Sequence, residues 1–235
     1  MDKKIIKRAL ISVYHKDGID RIARKLHGAG VEIISTGGTY DYLKGLSIPV
    51  TSVEEITTYP SILGGRVKTL HPKIFGGILG RREIDSDLKN FDEYKIPQID
   101  LVIVDLYPFE QSVASGVSHE EIIEKIDIGG ISLIRAAAKN YKDVVVIPCK
   151  GLYNKFLTIL DERGAETSLE ERHYFATEAF NISSHYDTAI FTYFNREEKI
   201  QVFKKSILTS RPLRYGENPH QSASFYGNAE NLPEQ

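Results

Sequence analysis

Short apolar runs alternate along this chain with longer stretches in which apolar residues recur at helical spacing. The short runs are rich in β-branched residues and predict buried strands at 9–13, 31–34, 99–106 and 144–147. The longer stretches predict helices at 19–26, 119–126, 131–139, 152–163 and 168–194. Strands and helices that alternate in this way predict an α/β fold with a mostly parallel central sheet flanked by helices.

Weaker patterns complete this outline. Residues 48–53 are interpreted as a third strand or an edge strand, and the polar residues 85–94 as a helix. After Asn195 the chain becomes charged and irregular, with a turn-rich end. We therefore predict one α/β domain over residues 1–198 and a non-globular carboxyl-terminal extension over residues 199–235.

A glycine-rich turn joins the second predicted strand to a helix. Residues 35–39 read Ser-Thr-Gly-Gly-Thr, so backbone N–H groups and hydroxyls lie at a helix amino terminus, which favours a phosphate. Ordinary turn chemistry explains the two glycines equally well. The pattern is neither a dinucleotide fingerprint nor a P-loop, so nicotinamide cofactors and nucleoside triphosphates are not indicated.

A basic loop, residues 63–72, is the second candidate binding element. Glycines open it and Pro72 closes it, and Arg66, Lys68 and Thr69 stand between them. We expect Val67 and Leu70 to anchor this loop while the polar side chains face an anion. A solvated basic loop without a ligand is the alternative.

Further polar residues stand where predicted elements end. Asp105 and Tyr107 follow the strongest predicted strand, the position at which open α/β sheets bind ligands. Asp127 precedes the helix 131–139, where it either caps the helix or serves a site. Lys139 ends that helix, which is also an ordinary place for a cation.

Composition narrows the function classes. Hydrophobic residues make up 41% of the 235 residues and charged residues 26%, and no apolar run approaches the roughly 20 residues that span a bilayer. No signal peptide is recognisable, so we expect a cytoplasmic protein. The net charge of −2 argues against nucleic acid. One cysteine and seven histidines without ligand spacing argue against a metal site.

The motifs together resemble a known family. They occupy residues 35–39, 64–72, 106–109, 126–130, 135–140 and 213–221. The chain resembles, over residues 8–221, the amino-terminal IMP cyclohydrolase part of the bifunctional purine-biosynthesis enzyme AICAR transformylase/IMP cyclohydrolase. The resemblance implies a methylglyoxal-synthase-like fold for residues 1–198, and a linker with the start of a transformylase domain for residues 199–235.

The resemblance also implies an activity. The family closes the last purine ring: 5-formamidoimidazole-4-carboxamide ribotide loses water and becomes inosine monophosphate. The enzyme is classed as a hydrolase that acts on cyclic amidines, and it uses no metal or organic cofactor. Because a weak nucleophile meets a weak electrophile within one molecule, positioning and oxyanion stabilisation should supply most of the rate.

The family's site residues match positions in this chain. The resemblance implies that Lys68 and Lys139 stand at the reacting groups, with Lys139 as proton donor and acceptor, and that Tyr107 and Asp127 orient them. It assigns the phosphate to the glycine-rich turn and Lys16, and the base to Asp105, Asp127 and Ile128. The implied substrate-binding residues are Tyr14, His15, Lys16, Thr36, Gly37, Gly38, Thr39, Arg66, Val67, Thr69, Val104, Asp105, Ile128 and Gly129.

Two positions depart from the family pattern. Relatives commonly have asparagine where this chain has Asp105, which replaces a mixed donor and acceptor by an acceptor. Relatives often have Ser-Asp where this chain has Tyr14-His15, although Lys16 is kept. The two departures therefore concern the implied contacts to the base and to the phosphate.

The transformylase domain of the family is absent from these residues. Arg214 and Tyr215 match residues that contact the transformylase substrate, and we expect neither formyl transfer nor folate use by this chain alone. Either the sequence is part of a longer enzyme or the transformylase is a separate protein. A homodimer and a complex with a separate transformylase are both compatible with the resemblance.

Two other functions share the predicted fold. A methylglyoxal synthase-type lyase would act on a triose phosphate with Asp105 or Asp127 as base, but it leaves the motifs around Lys68 and Lys139 without a role. A regulatory module that binds a nucleotide would need no site lysine for chemistry. Turnover of dihydroxyacetone phosphate would indicate the first, and binding without turnover the second.

Overall fold

A computed structural model describes residues 3–197 and 199–227 of the chain. The strands, in chain order, are β1 (Lys3–Ile5), β2 (Arg8–Val13), β3 (Glu32–Ser35), β4 (Thr51–Ser52), β5 (Leu101–Asp105), β6 (Val145–Ile147), β7 (Glu166–Ser168), β8 (Ser210–Leu213) and β9 (Ala223–Tyr226). The helices are α1 (Ile19–Gly28), α2 (Gly37–Gly45), α3 (Val53–Thr57), α4 (Pro72–Leu79), α5 (Asp85–Glu93), α6 (Phe109–Ala114), α7 (His119–Ile123), α8 (Gly129–Lys139), α9 (Tyr153–Arg163) and α10 (Leu169–Phe194).

Five of the described strands form one parallel sheet in the order β4-β3-β2-β5-β6. β2 is central, because Ala9 pairs with Ile33 on one side and with Leu101 on the other. Apolar residues occupy both faces of β2 and β5, as expected for a sheet that helices cover on both sides. The α/β fold with a central parallel sheet is therefore confirmed.

The strand order fixes where a ligand can bind. From β2 the chain builds β3 and β4 on one side, and it then returns to build β5 and β6 on the other. The connections after β2 and β5 consequently diverge and leave a crevice between the carboxyl ends of these two strands. Residues 12–14 and Lys16 border this crevice from one side, and residues 104–105 and Tyr107 from the other.

The core lies between the sheet and the helices packed on it. Leu10, Ile11 and Ile34 from the strands are fully buried, and so are Phe156 of α9 and Phe175 of α10. Truncation of such a side chain to alanine costs about 2–5 kcal/mol. Both helices were predicted from the spacing of these apolar residues.

One short segment differs from the sequence-based expectation, and two others had no predicted structure. Only Thr51–Ser52 of the predicted strand 48–53 is extended, because Ser52 and Glu55 form a capping box that starts α3 at Val53. Residues 74–79 belong to α4, which begins at Pro72. The antiparallel pair of β1 and β7 was not predicted, since three-residue strands carry little pattern.

The chain divides into two compact units, Met1–Ser183 and Ser184–Gln235, with the division inside α10. In the second unit β8 and β9 pair antiparallel within the extension predicted to be irregular. Residues 1, 2, 198 and 228–235 of the predicted domain and extension lie outside the described residues. The predicted boundary after residue 198 stays a prediction. Within the described part of the chain, no helix has the length and apolar character needed to cross a membrane.

Candidate functional site

A cavity of about 750 Å³ opens at the carboxyl ends of β2 and β5. Its size suits a ligand of nucleotide dimensions. Twelve of the predicted site residues line this cavity: Tyr14, Lys16, Gly38, Arg66, Lys68, Thr69, Val104, Asp105, Tyr107, Asp127, Ile128 and Gly129. The glycine-rich turn, the basic loop and the Asp127 segment, which are far apart in sequence, therefore meet at one edge of the sheet.

The hydroxyls of the glycine-rich turn are committed to the protein. Thr39 Oγ1 donates to the backbone oxygen of Val13 at 3.0 Å and accepts from the Val13 N–H at 3.1 Å. Since a hydroxyl has one proton, Thr39 has none left to donate to a phosphate. Thr36 is also buried and donates to Glu54 at 3.4 Å. In the free chain, the amino-terminal N–H groups of α2 are thus the donors that this turn could offer to an anion.

Lys68 lies over the glycine-rich turn. A Cβ atom at Gly37, which has a φ of +52°, would stand 3.3 Å from Lys68 Nζ. Lys68 also acts electrostatically on two other groups, because its charge lowers the pKa of Lys16 and opposes the rise in the pKa of Asp127. Lys68 consequently lies close enough to act both on the glycine-rich turn and on the end of the cavity that contains Asp127.

Lys16 folds back onto its own strand end. Its Nζ donates to the backbone oxygen of Val13 and, at 3.1 Å, to that of Tyr14. Burial lowers the pKa of Lys16, the charge of Asp105 opposes this shift, and the charge of Lys68 adds to it. Two ammonium groups therefore approach the same turn, an arrangement that an anionic ligand would relieve.

Asp127 caps α8, and the pKa of its carboxyl group is shifted. The N–H of Gly130 donates to its Oδ1 at 2.6 Å, and a Cβ at position 130 would lie 2.5 Å from Oδ2, so any other residue there would displace the Asp127 carboxyl group. Burial raises the pKa of Asp127, although the Gly130 N–H and the charge of Lys68 work against the shift. The capping role and the site role, proposed as alternatives from the sequence, thus belong to the same side chain.

Tyr107 faces the cavity from the loop after β5. Burial raises its pKa, and the nearby charges of Asp127 and Tyr14 act in the same direction. Its ring centroid lies 5.0 Å from that of Tyr14, and Lys125 Nζ lies 5.8 Å from it. A raised pKa keeps the Tyr107 hydroxyl protonated at neutral pH, where it is a hydrogen-bond donor.

The basic loop is anchored differently from the expectation. Val67 is half-buried and pairs with Ile62, but Leu70 is 39% exposed, and Thr69 is the buried residue at 4%. Arg66 extends across the cavity mouth and pairs with Glu124, which follows α7. Leu63, a non-glycine residue, has a φ of +54°, a strained conformation that is common at functional loops.

Asp105 ties the first loop to the end of β5. Its Oδ2 accepts from the backbone N–H of His15 at 2.9 Å and lies 2.7 Å from His15 Nδ1. The N–H of Tyr14 donates to the Asp105 backbone oxygen at 3.2 Å. The two departures from the family pattern, at positions 15 and 105, are therefore in direct contact.

Lys139 lies at the side of the sheet where the strands begin, opposite the cavity. It ends α8, whose first residue Gly129 lines the cavity, and a helix of this length spans about 15 Å. The next residue, Asn140, donates to the backbone oxygens of Ile78 and Gly80, beyond the start of β5. His15, Thr36, Gly37, Thr39 and Val67 lie next to the cavity-lining residues, whereas Lys139 is remote and exposed.

Among residues 3–197 and 199–227, no group of three or more His, Cys, Asp or Glu side chains is placed to hold a metal ion. Arg214 and Tyr215 belong to the second unit, follow β8 and are exposed.

Comparisons with known proteins place the chain in a family. Residues 137–235 match the family described as AICARFT/IMPCHase bienzyme, and residues 18–132 match the MGS-like domain. The bifunctional purine biosynthesis protein PurH of Bacteroides thetaiotaomicron is 58% identical over 234 residues, which are 100% of this chain and 46% of that protein. The chain belongs to the AICARFT/IMPCHase family. The predicted family and its methylglyoxal-synthase-like fold are thereby confirmed.

Further members of the AICARFT/IMPCHase family agree. PurH of Caldicellulosiruptor saccharolyticus is 45% identical over 225 residues, which are 94% of this chain and 44% of that protein. The chain thus spans about half the length of the curated relatives it matches. The chain also matches the chain in the crystal structure of ForH, with 36% sequence identity and a TM-score of 0.66. The match covers 80% of this chain and 98% of the ForH chain.

For this family member, sequence reasoning missed several cavity residues. Glu124 and Gly130 line the cavity and were not predicted, and neither was Lys125, which lies against the Tyr107 ring. Gly130 stands in the predicted Asp127 motif, and its need for glycine was the available signal. Nothing in the helical pattern around Glu124 distinguishes it from the exposed glutamates before it.

Proposed function

We propose that this chain is an IMP cyclohydrolase, which closes the ring of 5-formamidoimidazole-4-carboxamide ribotide to give inosine monophosphate and water. The observation that carries the proposal is the position of Lys68, between an anion-binding helix terminus and a carboxyl group with a raised pKa. A ribotide has its phosphate at one end and its reacting groups at the other. The cavity offers complementary chemistry at both ends.

The ribotide phosphate is proposed to bind at the amino terminus of α2. Backbone N–H groups of residues 37–39 would donate to it, and Lys16 and Lys68 would supply positive charge. Burial chiefly lowers the pKa of Lys16, and phosphate binding would also offset the repulsion by Lys68 that adds to this shift. Arg66 and Thr69 border the ribose between the two ends.

Ring closure needs charge stabilisation and two proton movements. The carboxamide nitrogen attacks the formyl carbon, the new C–N bond forms, and the formyl oxygen becomes an oxyanion that Lys68 and the Tyr107 hydroxyl are placed to stabilise. The oxygen then leaves as water with two protons taken from the substrate nitrogens. Asp127 is the proposed carrier of these protons, since its raised pKa brings it closer to neutral pH.

The implied catalytic role of Lys139 conflicts with its position. The resemblance assigns it a proton-transfer role, but its position at the far end of α8 separates it from the cavity. The placement predicts that Lys139→Ala lowers kcat/KM by less than about threefold, as for a surface substitution. A loss as large as that of Lys68→Ala would show that the working enzyme brings Lys139 to the substrate by another arrangement.

The direct test follows conversion of the formylated ribotide to inosine monophosphate by absorbance, with chelator present and no cofactor added. Wild type should turn over, and Lys25→Ala, which removes an exposed lysine of α1 paired with Asp161, is the matched control. Dihydroxyacetone phosphate should give no methylglyoxal. An inactive wild type, or turnover of the triose phosphate instead, would refute the proposal.

Location and partners belong to the same proposal. We place the activity in the cytoplasm, without nucleic acid or membrane as a partner, and assign formyl transfer to a different part of the family's enzymes. A homodimer and a complex with a separate transformylase remain the candidate assemblies. Light scattering of the chain alone and mixed with a transformylase separates them by mass.

A further inference from the structure

Asp105 and His15 form a pair that organises one wall of the cavity. One carboxylate oxygen of Asp105 accepts from the backbone N–H of His15 and lies 2.7 Å from the His15 ring nitrogen Nδ1. The Asp105 side chain is only 11% exposed, and that of His15 is 39% exposed. Because two contacts converge on one oxygen, the ring orientation of His15 is fixed relative to β5.

The fixed His15 ring continues into an aromatic contact chain. Its edge meets the Tyr14 ring at a centroid distance of 4.8 Å and an angle of 88°. Tyr14 in turn packs on Tyr107 at 5.0 Å. Edge-to-face and tilted arrangements are the favourable geometries for aromatic pairs. The rings of Tyr14 and Tyr107, which line the cavity, therefore depend on a residue that does not line it.

The same pair also holds the backbone beside Lys16. The Tyr14 N–H donates to the Asp105 backbone oxygen, and Lys16 Nζ donates to the Tyr14 backbone oxygen. Displacement of residues 14 and 15 would thus move both an aromatic wall and an ammonium group of the cavity.

We propose that His15 is a positioning residue for the ring-closure reaction, acting with Asp105 as one unit that sets the placement of Tyr14, Tyr107 and Lys16. This role rests on the proposed function. His15 touches no substrate in this scheme, and its contribution passes through the residues it orients. The unit requires a carboxylate at one of the two positions and a hydrogen-bonded partner for it at the other.

The charge arrangement of the pair suggests a transposition experiment. His15→Asp alone would put two carboxylates against each other, and we expect kcat/KM to fall about 30-fold, within the range of coupling between contacting residues. Asp105→Asn alone keeps an acceptor but loses its charge, so we expect about a fivefold loss. The double variant His15→Asp/Asp105→Asn restores one carboxylate facing one donor and should recover at least half of the 30-fold loss on a logarithmic scale.

A further variant separates the hydrogen bond from the aromatic contact. His15→Asn keeps an N–H near the place of Nδ1 but removes the ring, so a kcat loss with little change in KM would identify the contact to Tyr14 as the positioning element. Asp161→Asn, which removes an exposed carboxylate of α9, is the control and should behave as wild type.

The outcomes are distinguishable when melting temperatures are measured on the same proteins. If the pair were purely structural, the double variant would regain the melting temperature of wild type. At 25 °C, where every variant is folded, kcat/KM of each variant would then differ from that of wild type by less than about twofold. That result, or losses that simply add in the double variant, would overturn the positioning role. An inactive wild type would reject the proposed function together with it.

Discussion

The parallel sheet has an amino-end edge, where its strands begin, and a carboxyl-end edge, where its strands end. Charged side chains are arranged in opposite ways at these two places. At the amino-end edge Asp100 accepts from the backbone N–H groups of Lys7 and Arg8 at 2.8 and 2.9 Å and pairs with Arg82. Asp143 pairs there with Lys4 at 3.0 Å. Opposite charges are matched throughout this cluster, which joins β2, β5 and the segment before β6.

At the carboxyl-end edge the charges are mismatched. Burial lowers the pKa of Lys16 and the charge of Lys68 adds to this shift, while burial raises the pKa of Asp127 despite its contact with Gly130. Matched charges stabilise the fold, whereas mismatched ones reduce stability in the free protein and are relieved by a ligand. The comparison therefore predicts that substitutions at the two edges separate stability from activity.

The largest effect is expected from Lys68→Ala at the cavity edge. Removal of the cation between the phosphate turn and Asp127 should lower kcat/KM about 1000-fold, as for loss of a preorganised oxyanion donor. The melting temperature should change little, because the variant loses both the repulsion between Lys68 and Lys16 and the attraction between Lys68 and Asp127. Absorbance assays and thermal melts check both. A loss below tenfold, with Lys25→Ala as control, would contradict the role.

Arg82→Met should have the next largest effect, on stability alone. Its side chain is 14% exposed and pairs with Asp100, which is 9% exposed, so a buried carboxylate that has lost its counter-charge and keeps only backbone N–H donors would cost about 3 kcal/mol of unfolding free energy in urea titrations. Arg81→Met, at a side chain 62% exposed, is the neighbouring control and should leave the urea midpoint almost unchanged. A tenfold change in kcat/KM of folded Arg82→Met would mean that the edges are not independent.

Asp127→Asn should lower kcat about 100-fold, as for loss of a general acid–base group, yet raise the melting temperature at pH 7. In wild type the folded pKa is raised, so the stability contributed by the bound proton is complete below the ordinary value of 3.8 and is lost as pH rises through the folded pKa. The asparagine oxygen still accepts from Gly130. The gain in melting temperature should shrink toward pH 4, and a pH-independent decrease would refute this assignment.

Glu124→Gln is the smallest test. It releases Arg66 from an exposed ion pair and should lower KM about threefold at low salt with kcat unchanged. The effect should fade at 0.5 M salt, where exposed charges are screened over about 4 Å. A raised KM would mean that Glu124 itself contacts the substrate.

Much of the sheet was predictable because its strands are apolar runs that water would otherwise solvate unfavourably. Residues 99–106 and 144–147 gave β5 and β6 in this way, and the position of Asp105 at a strand end placed it at the cavity. α3 was missed because the capping box of Ser52 and Glu55 overrides the β-branched pattern around them.

The site could be predicted as a set of segments but not in its contacts. The hydroxyl of Thr39 is held by Val13, and Lys139 is separated from Asp127 by the length of α8. Both facts depend on where side chains point once the sheet has formed, and residue types alone do not contain this. The contact of His15 with Asp105 likewise joins positions about 90 residues apart.

The central place of β2 also affects how the chain is made. Ala9 needs Leu101 as its second neighbour, and ribosomes that add 5–20 residues per second supply the intervening segment only after roughly 5–20 s. Until then β2 presents one side of unpaired N–H and C=O groups in an apolar strand, a template for intermolecular pairing. Chaperone binding during synthesis should therefore matter most before residue 105 has left the ribosome.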